Sequence, residues 1–463
     1  MILFASNTGA RDLWLDGQPL ARPRPQGEQI LADFKAHADR ICAPILGVGI
    51  EDALKEVERL DRVVLFATDQ PESEPEKFRE RDTLHIARAL ARWLRECSDA
   101  AARIGDVEVV RVQGAPQDYE AMFSFYRQFF RADNPVPDSD VDRAFLLCSS
   151  GTPASNTALL LAATLRYRDR AQAVYVTDTG TDRGKVLRSA FSAQILGTYR
   201  SETASALLAE YDFAAAARLV PEPLAALCRY AHHRLLFNFA EAAGELQKVK
   251  DVGQHGEFFS TLVDEARQLE GAKEVMLQCR ELCFNLQVQW ERQAYVDFLG
   301  RIFRLEEALL GYALQQVGFS RAAVADIERM GTVAAERKDL AVHLSKRRML
   351  RNGVLRMGAS RPGRRKILKD YCSASKRNMP QGVDVGCLRR VRDISDALGK
   401  LSKLRNRSIL AHGFRGVSAE DLKARGVGKN ARLFRELREF FEFQEEDNVF
   451  SKIARYVTEN LVC

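Results

Sequence analysis

The order of apolar and polar positions divides the chain near residue 200. Before that point, short apolar runs alternate with stretches of helical period. Ile2–Ala5, Arg62–Thr68 (RVVLFAT), Val107–Val112 (VEVVRV), Ala144–Cys148 (AFLLC) and Ala173–Thr177 (AVYVT) read as five strands. Thr83–Cys97, Tyr119–Phe130 and the run from the Pro153 turn through Leu165 read as helices between them. Short strands, apolar on both sides and separated by helices, fit buried parallel strands of a Rossmann-like α/β sheet. Ligands of such sheets bind beyond the carboxyl ends of the strands. The loops Asn7-Thr8-Gly9, Thr68-Asp69-Gln70 and Ser149–Pro153 are therefore the expected rim of a site.

From Thr203 to Glu336 the spacing is almost entirely helical, with Pro223–Ala243 and Ala272–Val317 showing few breakers. The Gly/Arg/Pro-rich piece Arg351–Arg365 interrupts it, and helix returns in the last ~95 residues, ending in Ala431–Phe443 and Val449–Leu461. The pattern predicts an α/β domain over 1–200, an all-α connector over 201–340 and a helical C-terminal domain over 341–463.

Composition narrows the class. With 46% hydrophobic and 29% charged residues, collagen-like, mucin-like and disordered chains are excluded. No apolar run reaches transmembrane length, and Met1–Ser6 lacks the charged n-region of a signal peptide. The nine cysteines form no CxxC, and Cys279 and Cys283, one helical turn apart, read as small core hydrophobes. A reduced, cytoplasmic protein is expected. The net charge of +6 is uneven. Ala341–Arg415 carries 20 Lys+Arg against 4 Asp+Glu, leaving the remainder near −10. A polyanion partner for that segment alone is one reading, and a solvated basic face is the other.

Two segments carry candidate chemistry. In Ser149-Ser150-Gly151-Thr152-Pro153, between a strand and a helix, glycine allows close backbone approach, the helix N-terminus favours phosphate, and Ser150 and Thr152 add hydroxyls. It is neither a Walker A loop nor GxGxxG, so it also reads as a plain capping turn. The second segment is Leu404–Gly413. On one continuous helix Arg405 and His412 lie about 20° apart, whereas Arg407 lies roughly 140° from His412 and joins them only if the helix bends or ends nearby. Gly413 is a natural stop. Histidine can move a proton from a ribose 2′-hydroxyl or to a leaving 5′-oxygen, and arginine can hold phosphate oxygens as charge builds. That suits RNA cleavage without metal; the plainer reading is a surface histidine in a basic helix. The histidines form no HExxH or other zinc spacing, so no metal site is expected, and no GxSxG elbow is present. Lys346-Arg347-Arg348 and Arg364-Arg365-Lys366 are basic clusters that read mainly as solvated surface.

Taken together, these features resemble the CARF–HEPN ribonucleases of type III CRISPR systems. The resemblance rests on Ser6-Asn7-Thr8-Gly9 after a strand, on Ser149-Ser150-Gly151-Thr152-Pro153 before an apolar helix, on Gln117-Asp118-Tyr119, and on Arg405-Asn406 with His412, which fits the HEPN rule of Arg, four to six residues, then His. Arg407 satisfies the same rule, so the motif leaves open which arginine is catalytic, and the helical-face argument favours Arg405. Where that family's turn often carries a second glycine, this chain has Ser149-Ser150.

The resemblance implies an N-terminal CARF domain and a C-terminal HEPN domain. Cyclic oligoadenylate would be the allosteric activator, with no other cofactor, bound through Ser6–Gly9 and Ser149–Asn156, with Asn156 at the end of the second loop. A homodimer would share one ring and bring two sets of Arg405, Asn406 and His412 together to cut single-stranded RNA to a 2′,3′-cyclic phosphate. Some CARF domains also cleave their own ligand, and Thr8 or Ser150 could position such a reaction. Two other readings remain open: a nucleotide-sensing regulator that binds nucleic acid without cutting it, and a stand-alone HEPN toxin ribonuclease.

Overall fold

The computed structural model describes residues 1–131, 141–177, 185–251, 253–271, 275–317, 319, 350–351, 354–355, 361–373, 384–428 and 432–461. These form two compact units, Met1–Tyr199 and Arg200–Val462.

The first unit is built on six strands: β1 (Ile2–Asn7), β2 (Leu60–Thr68), β3 (Ile104–Val112), β4 (Arg143–Leu147), β5 (Ala171–Thr177) and β6 (Lys185–Ser189), in the spatial order β3-β2-β1-β4-β5-β6. The first five are parallel. Phe4 of β1 lies between Val63 of β2 and Phe145 of β4, whereas β6 pairs antiparallel with β5. The period of two sends alternate residues to opposite faces, and both are buried. Leu3, Ala5, Val64, Phe66, Ala144 and Leu146 pack on helices α2 (Tyr119–Phe129) and α3 (Pro153–Tyr167) through Tyr126, Leu159 and Ala163. Phe4, Val63, Leu65, Phe145 and Leu147 pack on α1 (Leu84–Glu96) through Ile86, Leu90 and Leu94. This double burial accounts for the unbroken apolar runs. Strand order reverses between β1 and β4, which opens a crevice at their carboxyl ends.

The second unit is mostly helical, with one buried core running from Ala204 to Val457. Its helices include α4 (Leu224–Leu235), α5 (Phe239–Gln247), α6 (Val275–Glu291), α7 (Tyr295–Gln316), α8 (Arg361–Ser373), α9 (Val385–Gly399), α10 (Ser402–Arg407), α11 (Arg432–Phe441) and α12 (Val449–Glu459). The two long periodic stretches are each broken into a helical hairpin. Phe237 (φ +64°) and Gln293 (φ +57°) take the left-handed conformation, and the next residues bond back, Asn238 N to the His233 carbonyl (3.0 Å) and Ala294 N to the Gln289 carbonyl (2.9 Å). These are Schellman-type ends without glycine. The expected boundary at 340–341 and the cluster Lys346-Arg347-Arg348 lie outside the described residues. Arg365, expected at a solvated surface, instead turns inward. Its Nε donates 2.6 Å to the fully buried Glu306, which also accepts from Ser395 Oγ at 2.7 Å.

Candidate functional sites

In the first unit, the loop after β1 and the turn after β4 meet across the point where strand order reverses. They line a cleft of about 710 Å³ with Gly9, Asp12, Ser149, Ser150, Gly151 and, from β5, Tyr175 and Thr177. Gly151 has φ +92°, and a Cβ there would stand 2.8 Å from Asn7 Cβ, so only glycine lets the two loops approach this closely. Thr152 caps α3 by accepting from Ser155 N (3.1 Å), and Pro153 occupies the first turn.

The hydroxyls are already committed. Thr152 Oγ1 donates to the Pro116 carbonyl, Ser150 Oγ donates to Asp12, and Ser149 Oγ accepts from Val176 N at 2.5 Å. The expectation that Ser150 and Thr152 offer free hydroxyl donors therefore gives way to one in which they brace the turn. Ser6 is buried and donates to the Asn7 carbonyl (2.8 Å). Asn7 gives its amide to Asn156 (2.9 Å) and accepts from Tyr126 Oη. Ser6 and Asn7, both buried, with the half-buried Asn156 thus support the cleft from below, while Gly9, Ser149, Ser150 and Gly151 form its wall. Thr8 donates its backbone N–H to the Phe66 carbonyl (2.7 Å), and its buried Oγ1 has no partner among the described residues.

Asp12 was not singled out by its sequence context. It is 2% exposed, accepts from Gly9 N (2.7 Å) and Ser150, and burial raises its carboxyl to about 6 despite both bonds.

In the second unit, helix α10 ends at Arg407. Ser408 leaves it in extended conformation (ψ 169°) and its hydroxyl takes the Arg405 carbonyl at 2.8 Å. The continuous helix that placed Arg405 and His412 on one face is therefore not formed, and the face argument no longer separates Arg405 from Arg407. A closed turn takes its place. Ala411 N and Gly413 N both donate to the Ser408 carbonyl (3.2 Å each), and Arg415 N donates to the Arg407 carbonyl (3.0 Å). His412 sits on this turn, exposed, beside the end of the helix that carries Arg405, Asn406 and Arg407.

The turn docks on α7. Leu410 covers Gly300, whose absent Cβ would lie 3.4 Å from it, and the Arg405 guanidinium lies 5.5 Å from the centre of the Phe303 ring. Arg361 stacks on the same ring at 4.2 Å and lies 3.5 Å from Glu306. Arg405 is thus half-buried and held, whereas Asn406 and Arg407 are exposed. Among the described residues, no group of three His, Cys, Asp or Glu is placed to hold a metal ion. No helix among them is long and apolar enough to cross a membrane.

A parallel α/β unit with its cleft at the strand-order reversal is followed along the chain by a mostly helical unit that bears an Arg–His turn. The solved structure of Enterococcus italicus Csm6 bound to cyclic hexa-2′-fluoro-hexa-dAMP is similar over 100% of both chains, with a TM-score of 0.58 at 14% sequence identity, so the fold is Csm6-like. No protein-family model matches the sequence, and no curated protein matches it.

Proposed function

We propose that the protein is an endoribonuclease of type III CRISPR antiviral defence that cyclic oligoadenylate activates and that cuts single-stranded RNA without metal. The observation that carries this reading is the whole-length likeness to a Csm6 holding a cyclic hexanucleotide, in a chain that has its own cleft at the strand-order reversal. In this reading the ring lies against the backbone of Gly9 and Ser149–Gly151, close to the N-terminus of α3, where N–H groups favour phosphate. Two copies share the ring about a two-fold axis. The stripe Phe191, Ile195 and Tyr199, exposed at a spacing of four on one helix, supports a partner for the first unit.

In the second unit His412 takes the proton from the ribose 2′-hydroxyl or returns one to the 5′-oxygen. Arg405 stabilises the charge that builds on the phosphate, with Asn406 or Arg407 completing the site. The product ends are a 2′,3′-cyclic phosphate and a 5′-hydroxyl.

The test incubates the full chain with labelled single-stranded RNA in EDTA, with cyclic tetra-adenylate, cyclic hexa-adenylate or neither, beside His412→Ala. Cleavage that requires one ring and is lost in the variant is expected. Cleavage without any ring would replace this reading with a stand-alone ribonuclease. Ring binding with no cleavage would replace it with a regulator.

A further inference from the structure

Phe414 is 96% exposed, the most exposed large apolar side chain among the described residues. It stands two residues after His412 on a backbone that is pinned at both sides. Gly413 N is tied to the Ser408 carbonyl and Arg415 N to the Arg407 carbonyl. A Cβ on Gly413 would lie 2.0 Å from the Arg407 oxygen, so the turn is closed as tightly as a backbone allows. The ring adds nothing to the core, yet the backbone that carries it is held on both sides. The same turn carries two arginines. Arg407 is exposed and has no ion pair among the described residues, and Arg415, its side chain 60% exposed, makes one long hydrogen-bonded ion pair with Asp421 at 3.4 Å.

We propose that Phe414 is a stacking platform for one unpaired base of the RNA, with Arg407 and Arg415 on the adjoining phosphates. This rests on the ribonuclease reading and deepens it by naming what recognises the strand. A flat apolar ring on a turn whose paired backbone ends carry Arg407 and Arg415 matches a nucleotide in both respects: the base covers the ring and the phosphates meet the charges. A protein partner covering the ring would also have to desolvate the two arginines. A base in a duplex is already stacked on both sides, so the platform selects single strands.

The test uses the full chain in the His412→Ala background, with cyclic hexa-adenylate present, so that RNA is bound and not cut. The probe is a short single-stranded RNA with 2-aminopurine placed at successive positions. One position should be quenched, and the quenching should vanish in Phe414→Ala. That variant should lose about 5- to 150-fold in RNA affinity, and Phe414→Trp should keep it. With His412 restored, Phe414→Ala should raise KM more than it lowers kcat.

Equal affinity for Phe414→Ala and its parent overturns the proposal. So does a loss of affinity that accompanies dissociation of a dimer in sedimentation, because Phe414 would then be a contact between copies of the chain. Phe414-dependent quenching in a protein that never cuts RNA would sustain the platform and refute the ribonuclease reading.

Discussion

Gly413→Ala is the sharpest perturbation of the candidate cleavage turn. An added Cβ would meet the Arg407 carbonyl oxygen at 2.0 Å and its carbon at 2.4 Å, both backbone atoms that cannot rotate away. An ordinary carbon–oxygen contact needs about 3.3 Å, so the two backbone segments must separate by more than about 1 Å. The separation falls on the bonds that close the turn, from Gly413 N at 3.2 Å and Arg415 N at 3.0 Å. Each contributes about 1 kcal/mol, and water replaces part of it because the turn is exposed. Stability should therefore fall by no more than about 2 kcal/mol. Activity should fall much further, because a misplacement of about 1 Å in a catalytic group costs on the order of 100-fold. The assay is ring-activated cleavage of single-stranded RNA, read as initial rate, alongside thermal unfolding. Gly416→Ala is the control, since a Cβ there meets nothing within 4 Å. A Gly413→Ala enzyme with the wild-type rate would refute the claim that this turn sets His412 against the end of α10.

Three further outcomes follow from the geometry. Burial raises the Asp12 carboxyl from 3.8 to about 6, so the folded state holds its proton longer than the unfolded chain. Wild-type stability should decline relative to Asp12→Asn between about pH 4 and pH 7, by up to about 3 kcal/mol, and a pH-independent difference in thermal unfolding would contradict this. Tyr126→Phe removes the hydroxyl that holds the buried Asn7 amide; more ring should be needed for half-maximal cleavage while the plateau stays, and a lowered plateau with unchanged half-point would count against a role in the cleft. Glu306→Ala leaves Arg365 and Arg361 without their buried carboxylate; denaturant unfolding should show a loss of about 3–5 kcal/mol, and a shift under about 1 kcal/mol would show that water or relaxation compensates.

The first unit was legible because parallel strands buried on both faces leave uninterrupted apolar runs and because turns punctuate them. The edge strand β6 was not, since Lys185–Ser189 is antiparallel and largely exposed, so it carries only Val186 and Leu187 between polar residues and no apolar run. The breaks at Phe237 and Gln293 were hidden because ordinary residues occupy the left-handed positions that usually reveal themselves as glycine. Helix α10 was read through to Gly413 for a similar reason. Ser408 ends it with its own hydroxyl on the Arg405 carbonyl, a local bond that competes with the helix and leaves only a single serine in the sequence. The role of Arg365 depends on Glu306, 59 residues earlier, and no local pattern reports such a pair. Asp12 looked like any loop aspartate until burial and the Ser150 contact set it apart.

The central claim is that a ring in the first unit's cleft controls cutting at the His412 turn. Its most direct test is the initial rate of RNA cleavage in EDTA, measured against the concentration of cyclic hexa-adenylate and, separately, cyclic tetra-adenylate. Wild type, Gly151→Val and His412→Ala are compared. Wild type should show saturable activation by one ring. In Gly151→Val, where a side chain meets Asn7 at a φ of +92°, activation should shift to higher ring concentration with the same plateau. In His412→Ala the rate should stay at background at every concentration. Cleavage that ignores both rings, or a His412→Ala protein that cuts as wild type does, would contradict it.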